Sequence, residues 1–261
     1  MVYILNINKF TNYKTSYIKR IILRLNRFLA LCGIASRRKC EEYILNGDVS
    51  VNGLIITNLA TIIDPKKDRI LFHKKQINLP NEFSYYVLNK PAGCLSSASD
   101  PHNRMTVYSL LKGIEERVFH VGRLDQDSEG LLLFTNDGKL AHRLLHPKYQ
   151  VKKKYFVKVN GYLTDQAVNN LKLGIELEEG KTNPSEINII SRSAKESSFD
   201  IIITQGWKRQ IRRMIDYIGL QVAYLRRDSI GPIILSDLEL TKWRKLSMDE
   251  IKNLKRQLKL L

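Results

Sequence analysis

Three acids crowd one short turn of this sequence: Asp125, Asp127 and Glu129 fall on alternate positions of Arg123-Leu-Asp-Gln-Asp-Ser-Glu-Gly130. Carboxylates at that spacing have three chemistries open to them. A calcium loop wants oxygen ligands at alternating positions, glycine at the sixth and an acid at the twelfth. Asp125, Asp127, Glu129 and Gly130 meet the first half, but the twelfth position is Asn136 and the intervening Leu131 to Phe134 are apolar. An Asp-x-Asp phosphoryl-transfer centre with magnesium wants a continuous apolar strand before it, and Gly122-Arg123 interrupt that strand. The third chemistry uses one carboxylate, Asp125, as a nucleophile or base. Its bland rival is an aspartate that pairs with Arg123 or caps the turn, as most loop aspartates do.

The flanking sequence shows how such a turn would be held. Val118 to Val121 is a short apolar piece that runs into Gly122, and Gly130 releases the chain into Leu131 to Thr135, a run short enough for a buried strand. Asn136-Asp137-Gly138 is turn chemistry, and Lys139 to Leu145 reads as a helix ending before Pro147. A turn anchored at both ends fixes a reactive side chain well. Upstream, Tyr85-Tyr-Val-Leu88 reads as a strand and Asn89-Lys-Pro-Ala-Gly93 as a rigid turn. Downstream, Tyr155, Val157 and Val159 share one face of an alternating segment. Ile211, Met214, Ile215 and Ile218 follow helical spacing, which leaves Arg212 and Arg213 on the other sides of that helix. His142 and His146 have a zinc-like spacing but no evident third ligand, so packing or surface roles are expected for them.

Composition narrows the partner. The 261 residues carry 43 Lys and Arg against 26 acids, a formal charge of +17, which favours a polyanion. No apolar run approaches membrane-spanning length and no signal-peptide core is visible. Cys32, Cys40 and Cys94 are odd in number and lack a Cys-x-x-Cys pair, so neither a disulfide framework nor a zinc site is expected. A reducing compartment, the cytoplasm, fits. Residues 1–22 contain no acid and read as a basic extension; an organellar targeting role is the alternative, weakened by the scarcity of arginine. Residues 23–73 read as a small module. Leu25, Phe28, Leu29 and Cys32 have helical spacing up to Gly33, and Ser36 caps a second helix with Arg37, Arg38 and Lys39 in its first turn. Cations there oppose the helix dipole, so an anionic ligand is the natural demand that keeps them. Val49 to Ile56 reads as a hairpin about Asn52-Gly53. Residues 74–84 read as a linker, 85–250 as the larger domain and 251–261 as a basic tail.

Gly122-Arg-Leu-Asp125, followed by Ser-x-Gly-Leu-Leu and Thr-Asn-Asp-Gly138, closely resembles the signature of RNA pseudouridine synthases of the RsuA/RluB type. Lys90-Pro-x-Gly93, Lys153-x-Tyr155, Gln210-Ile-Arg212, Leu225-Arg-Arg227 and Trp243-Arg244 continue the likeness, which covers about residues 24 to 250. The Arg-Leu-Asn-Arg-Phe, Ser-Arg-Arg and Gly-Asp-Val-x-Val-Asn-Gly blocks resemble the S4-type (alpha-L) RNA-binding module. The chain departs from the pattern at Thr241, where a glycine is usual, and at Lys208 and Ser229.

The resemblance implies an α+β protein with a mixed, largely antiparallel sheet, flanking helices and a basic cleft. It implies isomerisation of uridine to pseudouridine in ribosomal RNA of either subunit, with the large preferred here over the small; a monomer that uses neither metal nor cofactor is expected. By the same resemblance Asp125 is the catalytic aspartate and Tyr155 packs against an extruded base, which has lost its neighbours and needs a substitute stack. Arg212 then stands beside Asp125, keeping it ionised and oriented. Arg123 assists extrusion, and Lys90, Lys153, Arg227, Arg37 and Arg38 complete the expected RNA contacts. The rivals are a non-catalytic RNA-binding ribosome assembly factor and a phosphohydrolase using Asp125 with Asp127. The first gives no reason for Asp125, Tyr155 and Arg212 to occur together.

Overall fold

The structure, a computed structural model, describes residues 22–261; the basic extension expected over 1–22 therefore lies, but for Ile22, outside the described residues. The described chain forms two compact units that divide between Leu79 and Pro80.

In the first unit, β1 (Leu23–Arg24) leads into α1 (Leu25–Leu31) and α2 (Arg37–Leu45), followed by β2 (Val49–Val51), β3 (Leu54–Ile55), β4 (Ile62–Ile63), β5 (Ile70–Phe72) and β6 (Lys75–Gln76). The helices form because their apolar residues fall on one side: Leu25, Phe28 and Leu29 of α1 meet Cys40 and Ile44 of α2 over Val49, Ile63 and Ile70. The Ser36 hydroxyl accepts from the Lys39 amide and so caps α2. The β2–β3 hairpin turns through Asn52 and Gly53, both at positive φ (52° and 88°), the conformation that suits the twist of paired strands. Arg37 and Arg38 are exposed in the first turn of α2. The stretch expected as a linker begins differently: Lys75–Gln76 pairs with β5 as an edge strand, because a turn at His73 and Lys74, both at positive φ, folds the chain back.

The second unit runs β7 (Tyr85–Lys90), β8 (Phe119–Val121), β9 (Glu129–Thr135), α3 (Gly138–Leu145), β10 (Lys153–Asn160), α4 (Asp165–Leu173), β11 (Glu176–Leu177), β12 (Gly180–Lys181), β13 (Glu186–Arg192), β14 (Glu196–Ile203), α5 (Gln210–Tyr217), β15 (Gln221–Ile230), β16 (Ile233–Ile234), β17 (Trp243–Lys245) and α6 (Met248–Gln257). Among the described residues nine of these strands join in one sheet, ordered β13-β14-β10-β15-β9-β7-β17 with β16 on β15 and β8 on β9. Only β15 and β9 run parallel, so the sheet is mixed and largely antiparallel. Alternation along β10 sends Tyr155, Val157 and Val159 to the face packed by Val168 and Leu171 of α4 and Ile211, Met214 and Ile215 of α5. The other face, over β7 and β9, is closed by Leu140 and Leu144 of α3 and Ile251 and Leu254 of α6.

Residues 251–261 are not a tail. Ile251, Leu254 and Leu258 recur at helical spacing and are buried, while Lys252 and Arg256 between them are exposed. A capping box of Ser247 and Glu250 starts that helix. Thr241, the departure from the usual glycine, sits at φ 69° with its amide bonded to Asn89 O at 2.8 Å. A β-branched residue in the left-handed region is strained. Thr241→Gly is expected to raise stability by about 1 kcal/mol, read as a higher urea midpoint at unchanged slope.

Candidate active site

The acidic turn is pinned from the end of β7 and the segment after it, whose residues lie some thirty positions earlier in the chain. The Lys90 side chain is wholly buried, and the three N–H of its Nζ are shared among four carbonyls: Ser128 O at 2.8 Å, Pro91 O at 3.0 Å, Asp125 O at 3.1 Å and, farthest, Gln126 O at 3.4 Å. Burial draws its pKa below the usual lysine value, opposed by Cys94 and then by Asp127, Asp125 and Glu129. Gly93 N donates to Gln126 O at 2.8 Å, and the Ser96 hydroxyl both donates to Leu124 O and accepts from Leu124 N. The expectation that Lys90 contacts RNA is therefore corrected: its ammonium is spent inside the protein on the turn's carbonyls. Gly130 closes the turn at φ 101°, and a Cβ there would stand 2.3 Å from Arg227 O, so the parallel contact between β9 and β15 excludes a side chain.

Held this way, Asp125 faces a cavity of about 120 Å³. Its walls include Arg123 and Leu124 of the turn, Leu144 of α3, Lys153 and Tyr155 of β10, Gln210 and Ile211 of α5, and Leu225 and Arg227 of β15. Among the described residues no hydrogen bond or ion pair engages the Asp125 carboxylate. Tyr155 is 8% exposed, and Arg227 lies 5.9 Å over its ring with Nη1 3.4 Å from the hydroxyl. Arg227 Nε donates to Leu131 O at 2.8 Å, while its buried Nη2 finds no partner. Arg123 is exposed at the cavity mouth.

Arg212 does not line the cavity. Its Nη2 donates to Asp127 O at 2.9 Å and its Nε lies 3.3 Å from Asp127 Oδ2, so its ion pair is with Asp127 and the pairing expected with Asp125 is corrected. The reason is geometric: Asp127 points back across the turn toward α5, where Arg209 Nη1 also meets both of its oxygens at 3.2 Å. Burial lowers the Arg212 pKa; Asp127 raises it, Arg209 lowers it and Asp125 raises it, in falling order. Arg209, at φ 50° before α5, was not singled out from sequence, although it adjoins the Gln-Ile-Arg block. Ser96 had no sequence signal at all. Arg37 and Arg38 belong to the first unit, and neither pairs with a carboxylate among the described residues. His142 and His146 each meet Tyr149 edge-on, and the described residues hold no group of three or more His, Cys, Asp or Glu able to grip a metal ion.

A carboxylate, an aromatic ring and several cations around a hollow the size of one small ring define an enzyme that works on an extruded nucleobase. Residues 84–217 match the RNA pseudouridylate synthase family and residues 23–70 the S4 domain. An RNA pseudouridine synthase of Aquifex aeolicus is 40% identical over 233 residues, 89% of this chain and 93% of that protein. The ribosomal large subunit pseudouridine synthase B of Bacillus subtilis is 39% identical over 234 residues, 89% of this chain and 95% of that protein. A crystal structure of a pseudouridylate synthase superposes with a TM-score of 0.65 at 30% identity, covering 89% of this chain and 99% of the other. The chain belongs to the RNA pseudouridylate synthase family and carries an N-terminal S4 RNA-binding domain. It is an isomerase that turns uridine in RNA into pseudouridine.

Proposed function

We propose that the substrate is ribosomal RNA of the large subunit, that the protein acts as a monomer in the cytoplasm, and that Asp125 is the reacting carboxylate. The observation that carries the reading is the Asp125 carboxylate, without an internal partner, in one cavity with Tyr155, Lys153 and Arg227. Asp125 reacts at the sugar or base while Tyr155 replaces the stack that an extruded uridine loses, a loss of a few kcal/mol. Arg123 at the mouth helps hold the nucleotide out of its helix, and Arg212 acts through Asp127 by steadying the turn. The name of the Bacillus subtilis relative supports the large-subunit choice. Exposed Arg37 and Arg38 on an S4 domain, in a chain of charge +17, support phosphate contacts that position RNA without reading its sequence.

The experiment is a map of pseudouridine in both ribosomal RNAs from cells with and without the gene. One or a few large-subunit uridines should lose the modification on deletion and regain it on complementation. A change confined to small-subunit RNA would overturn the subunit choice, and an unchanged map would return the assembly-factor reading to favour. Activity should also survive chelation of divalent ions provided the RNA stays folded, whereas a phosphohydrolase built on Asp125 and Asp127 would stop.

A further inference from the structure

Lys153 differs from its neighbours in the chain. Lys152 ends on the Glu186 carboxylate at 2.5 Å and Lys154 on that of Asp200 at 2.8 Å. Lys153 ends among carbonyls instead, its Nζ donating to Val151 O at 3.2 Å and Gln205 O at 3.5 Å. No carboxylate among the described residues pairs with it, and the charged group that acts on it is Arg227, of its own sign. Beyond its bond to Cε, an amine nitrogen has three tetrahedral positions, and the two carbonyls fix two of them as N–H donors. The third belongs to a residue that lines the Asp125 cavity, and it carries a proton in the ammonium form and a lone pair in the neutral amine. Burial first, and Arg227 second, push the pKa down to about 8, so the lone-pair form is within reach at neutral pH.

The isomerisation calls for such a group. The N1–C1′ bond breaks and a C5–C1′ bond forms, leaving C5 tetrahedral and still carrying its hydrogen, with N1 double-bonded to C6. We propose that Lys153 Nζ is the base that removes the C5 proton in the last step of the reaction. The C–H electron pair becomes the C5–C6 double bond and the former N1–C6 π pair moves to N1. N1 then takes a proton, returned by the Lys153 ammonium or by water, so the uridine is isomerised with no net gain or loss. The other groups facing the cavity are poorly placed for this task. Arg123, Arg209 and Arg227 keep their protons, the Tyr155 hydroxyl meets Arg227, and Asp125 is engaged in the bond exchange. Ile203, opposite Lys153 on β14, brings no titratable group. This assignment rests on the reading of the site given above.

The test uses full-length protein and transcripts of both ribosomal RNAs labelled with deuterium at uridine C5, with single-turnover rates measured across pH. Wild type should show a rate that rises through about pH 8 and then levels. Lys153→Met and Lys153→Arg should each slow product formation about 10²–10⁴-fold, with RNA affinity kept. They should also lose the rising limb and show, on the plateau above about pH 8, a primary isotope effect that wild type lacks there. The arginine variant keeps the charge and guards against a fault of folding. Full activity in either variant, or lost activity with no new isotope effect, overturns the assignment to Lys153. A wild-type protein inactive on both transcripts overturns the substrate reading and this step together.

Discussion

Asp125→Asn is expected to abolish pseudouridine formation, by about 10⁴-fold or more, while leaving RNA affinity and thermal stability essentially unchanged. Asparagine has the shape of the native side chain but offers neither an anionic nucleophile nor a base. The native carboxylate makes no internal bond among the described residues, so the fold loses nothing when it is replaced. Asp127→Asn supplies the contrast. It weakens the pairs with Arg209 and Arg212, but Asp127 O still accepts from Arg212 Nη2. The pair with Arg209 is half-exposed on both sides and contributes about 1 kcal/mol or less, and the largely buried Arg212 keeps Asp127 O, so activity should fall by less than about tenfold. Label release from RNA carrying tritium at uridine C5, together with filter binding, measures both. Equal collapse in the two variants would point instead to a pair of carboxylates sharing a magnesium ion.

Lys90→Met is expected to produce the largest loss of stability of any single change in the site, at least about 3 kcal/mol. Methionine fills much of the same volume, so packing is not the issue. Ser128 O loses its donor in a buried place and Pro91 O in a half-buried one, while Asp125 O keeps Ser128 N and Gln126 O keeps Gly93 N; each unmade bond costs about 1–3 kcal/mol unless the turn opens. If the turn opens, Asp125 and Ser128 move with it, and the rate should fall alongside the stability. A urea titration at constant slope reads the first effect and single-turnover kinetics the second. An unchanged midpoint would mean that the ammonium does not hold the turn.

Much of the site could be read from residue types alone. Glycines and turn residues at Gly122, Gly130 and Asn136 to Gly138 bracket a short apolar run, and these local preferences appear in the fold as β8, the turn, β9 and α3. The 3.6-residue spacing of Ile211, Met214 and Ile215 and the alternation of Tyr155, Val157 and Val159 did the same for α5 and β10. The tail expected over 251–261 went the other way because its lysines outweighed Ile251, Leu254 and Leu258, whose spacing already marked a buried helix face.

The order of residues therefore determined the elements, the acidic turn and, through charge, the kind of partner, because these depend on neighbours a few positions apart. Which carboxylate each guanidinium meets was decided only by the tertiary structure. Arg212 and the turn are more than eighty residues apart in sequence, and the parallel contact of β9 with β15 aims Asp127, not Asp125, at α5. The same packing took Lys90 out of reach of RNA and left Lys153 without an acid, since burial and partner are properties of the folded neighbourhood and not of the residue.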